Sequence, residues 1–168
     1  MKMPRTLLLI SACVAILLIA GCGSEKMKKL KVGDKAPDFL VEDLSGQPFS
    51  LANAAGMPVI IRFFVTDCKF CRADTPVFNE YYAKHKDKGL KVLYLTTTVD
   101  RKRVEKFVAE LAIPFPVAID FNKKVSDLFR VRVEPQAIIL GPDHVIIGAI
   151  LGGVTEAELD ELLKKHLQ

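Results

Sequence analysis

The chain has 168 residues, half of them hydrophobic, with 24 basic and 20 acidic side chains and a formal net charge of +4. That length fits one compact domain with a leader. So small a charge surplus supports no nucleic-acid partner.

Lys2 and Arg5 precede an uncharged apolar run from Leu7 to Ala20. This is a positive n-region and an h-region, shorter than the ~20 residues a spanning helix needs. The run ends in Ile19-Ala20-Gly21-Cys22. Small residues before a cysteine resemble the bacterial lipobox, in which the cysteine is acylated and becomes the first mature residue. The alternatives are an ordinary signal peptide, or an uncleaved anchor, with a chance cysteine. Each places the domain outside the cytoplasmic membrane, where disulfides persist. The expected division is a leader over 1–21, a lipid-anchored linker over 22–31 and a domain over 32–168. Cleavage removes Cys13, lipid occupies Cys22, and Cys68 and Cys71 stay free to react. Loss of Lys2 and Arg5 lowers the net charge from +4 to +2. Lys26, Lys28, Lys29 and Lys31 read as a solvated tether, with anionic headgroups as the other reading.

In chain order, short strands are expected near Phe39–Glu42 and Phe49–Leu51. "PVIIRFFVT", Pro58 to Thr66, reads as a central strand buried on both faces. Phe70, Ala73, Val77, Phe78 and Tyr81 then recur at helical spacing, predicting a helix from about Lys69 to Lys86 with a kink at Pro76 and an end at Gly89. Leu90–Val99 is the next strand and Arg101–Leu111 an amphipathic helix. A short extended piece in "IPFPVAID" and a short helix over Lys124–Phe129 follow. Gln136–Leu140 and His144–Leu151 read as a hairpin about Gly141-Pro142-Asp143. Thr155 and Glu158 fit a capping box for a last helix reaching His166. The order predicts an α/β domain: a mixed central sheet, parallel early and antiparallel at the hairpin, with helices on both sides.

Cys68 and Cys71 are three residues apart, at a strand's carboxyl end and a helix's start. An α/β sheet usually places its site there. The pair can be a redox centre, a metal half-site or a staple. The ring such a disulfide closes is small and constrains the unfolded chain little. A metal site needs about four ligands, and His85, His144 and His166 show no ligand spacing. Reversible dithiol–disulfide chemistry is favoured, with helix-start amides stabilising a Cys68 thiolate and Cys71 less exposed one turn later.

From about Val32 to Leu167 the chain resembles the thioredoxin superfamily, and within it the TlpA/ResA-like membrane-tethered thiol-disulfide oxidoreductases of the redoxin/AhpC-TSA type. "APDF", the aromatic strand, "CKFCRADTP", "IPFPVAID" and "VRVEPQAIIL" carry the resemblance. It implies a thioredoxin-like fold with an N-terminal strand extension and an insertion near Arg101–Phe115. Cys68 would attack a partner disulfide and Cys71 would resolve the mixed disulfide. Pro135 would be the cis-proline, with the backbone at Glu134 pairing to the partner chain. No cofactor or metal is implied. The partners are protein thiols and disulfides, with a membrane thiol reductase as electron donor. The implied role is a reductase, for substrates such as apocytochrome c haem-attachment sites.

Four positions depart from the family pattern: Asp67 for tryptophan, Phe70 for proline, Arg62 for Asp or Asn, and Glu134 for Thr, Val or Ile. Asp67, Asp74 and Glu134 would oppose a thiolate at Cys68, while Lys69 and Arg72 would favour it. Arg62, Asp67, Lys69 and Asp74 are therefore candidates for tuning the thiols. One hypothesis pairs Arg62 with Glu134 beside the cysteines; the favoured reading is that Arg62 snorkels to a sheet edge and Glu134 is solvated. Two other functions compete: a peroxiredoxin-like peroxidase, because "APDF" recurs there, and a non-catalytic binding lipoprotein. An oxidase direction also stays open.

Overall fold

The computed structural model describes residues 30–167; the expected leader 1–21, Cys22 and most of the linker 22–31 lie outside the described residues. Two short strands come first, β1 (Leu40–Glu42) and β2 (Pro48–Ser50), paired antiparallel with Leu40 opposite Ser50. The main sheet comprises β3 (Val59–Phe64), β4 (Lys91–Thr96), β5 (Val117–Ile119), β6 (Gln136–Leu140) and β7 (Ile146–Leu151), in the order β5-β4-β3-β6-β7. β3 is parallel to β4, and β4 to β5. β6 is antiparallel to both β3 and β7. The helices are α1 (Lys69–His85), α2 (Arg101–Glu110), α3 (Lys124–Leu128) and α4 (Glu156–Leu163).

The central strand explains the layers. All six residues of β3 are buried, and successive side chains point to opposite faces. Ile60 and Phe64 join Cys71, Phe78, Tyr94, Phe107 and Leu159 in one core, so α1, α2 and α4 cover that face. Val59, Ile61 and Phe63 join Phe39, Leu51, Val125 and Phe129 in the other, under α3 and the N-terminal segment. Arg62 shares the parity of Ile60 and Phe64. Its side chain therefore faces α1, where a long cation has no route to water.

The N-terminal segment also pairs with part of each sheet edge, where backbone groups would otherwise be unpaired. Gly33 N donates to Ile146 O at the start of β7 and Ala36 N to His144 O in the turn before it, at 2.8 and 2.9 Å. Leu44 N donates to Val117 O along β5 at 2.8 Å.

Several boundaries differ from the sequence reading. β3 stops at Phe64 because the chain turns: Cys68 N donates to Val65 O at 3.2 Å. His144 belongs to the hairpin turn rather than to a strand, with φ +56° and Nε2 3.0 Å from Ala54 O. α1 runs through Pro76 as one helix, followed by a 3-10 turn that Gly89 ends at φ +90°. α4 passes into a 3-10 turn over Lys164–His166. No helix among the described residues is long and apolar enough to cross a membrane.

Candidate active site

Parallel β3 and β4 and antiparallel β6 and β7 bring the end of β3, the start of α1, the start of β6 and the β7–α4 turn to one end of the sheet. Cys68 is the N-cap of α1, and its Sγ accepts from Cys71 N at 3.3 Å. A sulfur thus occupies the place where a side-chain oxygen usually satisfies an unpaired helix-start amide. Cys68 is partly exposed, whereas Cys71 is buried, and both are free thiols. Burial, followed by the hydrogen bond with Cys68, pushes the Cys71 thiol up to about 12, with Arg62 among the groups pulling it back. Thr75 Oγ1 donates to Cys71 O at 2.6 Å and lies 3.5 Å from the Tyr94 hydroxyl, which joins the first turn of α1 to β4.

Arg62 is fully buried in β3, and its partner is Asp74 of α1: Nη2 lies 2.5 Å from Oδ2. Nη1 donates to Gly152 O at 2.9 Å, and the guanidinium sits 5.3 Å from the centroid of the Phe78 ring. Asp74 Oδ2 also accepts from Val154 N at 3.1 Å. Burial raises the Asp74 carboxyl to about 6, although Arg62 and the Val154 amide pull it down. The favoured snorkelling of Arg62 is thereby corrected, and so is the hypothesised pair with Glu134. Strand parity aims Arg62 at α1, where the carboxylate six residues beyond Cys68 meets it. Glu134 instead accepts from Thr97 Oγ1 at 3.3 Å, and its carboxyl is raised, chiefly by burial.

The Glu134–Pro135 peptide is cis, as the resemblance implied. Pro135 O accepts from Gly152 N at 2.9 Å. The other two charged candidates point to the surface. Asp67 is exposed and ion-paired with Arg103 of α2. Lys69 Nζ lies 5.2 Å from the centroid of exposed Phe70. Arg72 bonds Glu110 at 2.8 Å and stacks over Phe107 at 5.1 Å. Sequence reasoning missed Gly152 and Val154. Both act through backbone groups, which leave no signature in side-chain chemistry; the Gly152-Gly153 pair, with Gly152 at φ +93°, is the one trace.

A five-stranded mixed sheet with Cys-x-x-Cys at the start of the helix after its central strand, and a cis-proline at the same end, defines a thioredoxin-like thiol-disulfide oxidoreductase. The AhpC/TSA family model matches residues 32–149, and the chain belongs to that family. Among curated relatives, the thiol-disulfide oxidoreductase ResA of Bacillus cereus (strain ATCC 10987 / NRS 248) is 35% identical over 159 residues, covering 95% of this chain and 91% of that one. ResA of Bacillus anthracis is 33% identical over the same length. Among solved structures, a candidate thiol:disulfide interchange protein DsbE from Chlorobium tepidum superposes with TM-score 0.77 at 26% identity, covering 83% of this chain and 99% of that one. StoA from Bacillus subtilis, at 22% identity, shares the fold with TM-score 0.66 over 75% of this chain and 96% of its own. The protein is a thiol-disulfide oxidoreductase acting on protein thiols and disulfides.

Proposed function

We propose that this protein is a reductase of extracytoplasmic protein disulfides, with Cys68 as nucleophile and Cys71 as resolving thiol. The asymmetry of the two sulfurs carries this reading. A partner disulfide reaches only the partly exposed Cys68, and the buried Cys71 is shielded from other oxidants. The Cys68 thiolate attacks one partner sulfur, breaks the partner S–S bond and releases a thiolate that takes a proton from solvent. Cys71 gives up its proton and attacks Cys68 Sγ, and the second partner sulfur leaves as a thiol. Two electrons pass to the partner and Cys68–Cys71 becomes the disulfide. A membrane-embedded thiol reductase returns them.

Glu134 and Pro135 are the proposed contact for the partner backbone. Asp67, Lys69, Arg62 and Asp74 are the proposed tuning groups. Asp67 and Lys69 act through solvent and are screened by salt, whereas Arg62 and Asp74 are buried beside Cys71. Lipid on Cys22 tethers the domain to the membrane. The apocytochrome c haem-attachment site is the substrate class that the family resemblance supports.

Cys71→Ser should accumulate reductant-sensitive mixed disulfides with extracytoplasmic proteins, and adding Cys68→Ser should abolish them. Full activity of Cys68→Ser in the cell would reject the reading. A Cys68–Cys71 potential so high that the protein oxidises dithiols but does not reduce disulfides would reverse its direction. Rapid peroxide consumption by the reduced protein would move it to the peroxidases.

A further inference from the structure

Cys71 is the harder of the two thiols to use. It is buried among Phe64, Phe78, Tyr94 and Val154, yet it must become a thiolate to resolve the mixed disulfide. The charged or titratable groups around it come from three elements: Cys68 and Asp74 on α1, Arg62 on β3 and Tyr94 on β4. Tyr94 is held neutral by burial. Asp74 is three residues beyond Cys71, on the same side of the helix. Arg62 is the sole cation in this set, and it is fully buried.

Its hydrogen bonds join the parts of the site. Nη2 holds Asp74 on the cysteine helix, and Nη1 holds the carbonyl of Gly152, whose own amide donates to Pro135 O. The β7–α4 turn is tied a second time through Val154 N and Asp74. Arg62 Nε and Asp74 Oδ1 are buried without a hydrogen-bond partner among the described residues. Removing a cation from water is expensive, and a well-packed apolar residue of similar volume is often no less stable. Stability alone is therefore a poor reason for a guanidinium at the centre of this sheet.

We propose that Arg62 is a positioning residue for the resolving half-reaction: it holds the Asp74 carboxylate and the Gly152 turn about Cys71 and supplies the positive charge against which the Cys71 thiolate forms. The inference rests on the thiol-exchange reading above and assigns one step of it to one buried side chain. Cys71 loses its proton to solvent base, its thiolate attacks Cys68 Sγ, the Cys68–partner bond breaks, and the departing sulfur is protonated. Attack by Cys68 on the partner precedes this step and does not need Arg62.

The two half-reactions separate with dithiobis-nitrobenzoate as the disulfide. The first coloured thiolate reports attack by Cys68, and the second reports resolution by Cys71. Two comparisons isolate the guanidinium: wild type against Arg62→Met, and Asp74→Asn against Asp74→Asn with Arg62→Met. The second pair keeps the same carboxamide at position 74, so a misfolded single Arg62→Met chain does not stop the test. Circular dichroism checks folding first. In either folded pair, loss of Arg62 should slow the second release about tenfold at neutral pH and move its pH profile about one unit to alkaline. The first release should keep its rate. Equal second-release rates and profiles with and without Arg62 would overturn the proposal, and so would equal slowing of both releases. Failure of the underlying reading would look different: wild type itself would give no second release.

Discussion

Asp74 is a carboxylate whose environment works in two directions. Burial disfavours its charge, while Arg62 and the Val154 amide favour it, and burial prevails. The folded value is about 6 against an ordinary 3.8. Between these values the folded chain keeps a proton that the unfolded chain has lost. The stability Asp74 contributes is therefore complete below the unfolded value, is lost as pH rises through about 6, and is constant above that. Asp74→Asn has no proton to lose. Chemical denaturation of both chains from pH 4 to pH 7 should show the stability difference moving in favour of Asn as pH rises, then levelling off. A flat difference would mean that Arg62 fully offsets the burial, and a slope of opposite sign would mean that the ion pair dominates. The same carboxylate was a tuning candidate from the sequence, but its partner was not visible there. Arg62 and Asp74 are twelve residues apart in sequence, and no helix or strand spacing joins them.

At the scale of elements, each helix near the site begins with a side chain that satisfies its first amides. Cys68 does this for α1, Asp100 for α2 and Thr155 for α4. Asp120 Oδ1 and Oδ2 accept from Val125 N and Ser126 N at the start of α3, at 2.9 and 2.8 Å. The capping box of α4 has both halves: Glu158 N donates to Thr155 Oγ1, and Thr155 N donates to Glu158 Oε2 at 2.9 Å. It directly follows Val154, whose amide binds Asp74, so the cap orients the turn that Arg62 also grips. Thr155→Ala should lower stability by about 1 kcal/mol, a cost typical of a lost cap, read as a lower urea midpoint with unchanged slope. An unchanged midpoint would show that Leu159 and Leu163 in the core hold α4 without its cap. This box was legible in sequence because Thr155 and Glu158 are local. The cap at Cys68 was half legible: the helix start was expected there, but sulfur as acceptor for the Cys71 amide appears only with the backbone in place.

Over the whole molecule, one end of the sheet collects the two thiols, the Arg62–Asp74 pair and the cis-proline, and the N-terminal segment pairs with part of each sheet edge. The proposed lipid tether at Cys22 falls outside the described residues. Cys22→Ala should move the protein from the membrane fraction to the soluble fraction and abolish labelling with a radioactive fatty acid; retention and labelling in that variant would defeat the lipid-anchor reading. The sequence by itself determined the strand before and the helix after the Cys-x-x-Cys pair, the parallel-then-antiparallel order and the cap at Thr155, and the motif shared with the family implied the cis-proline at Pro135. Each of these is written in local periodicity, in spacing or in a motif. Tertiary structure alone decided which charges meet. From the sequence Arg62 reads as reaching a sheet edge or pairing with Glu134, and it lies instead against Asp74 and Gly152. The reason is geometric: alternation along β3 sends Arg62 to the α1 face, and the pairing of β6 with β7 brings Gly152 back beside it. Long-range partners of a buried charge depend on how strands and helices stack, which neither local propensity nor hydrophobic pattern encodes.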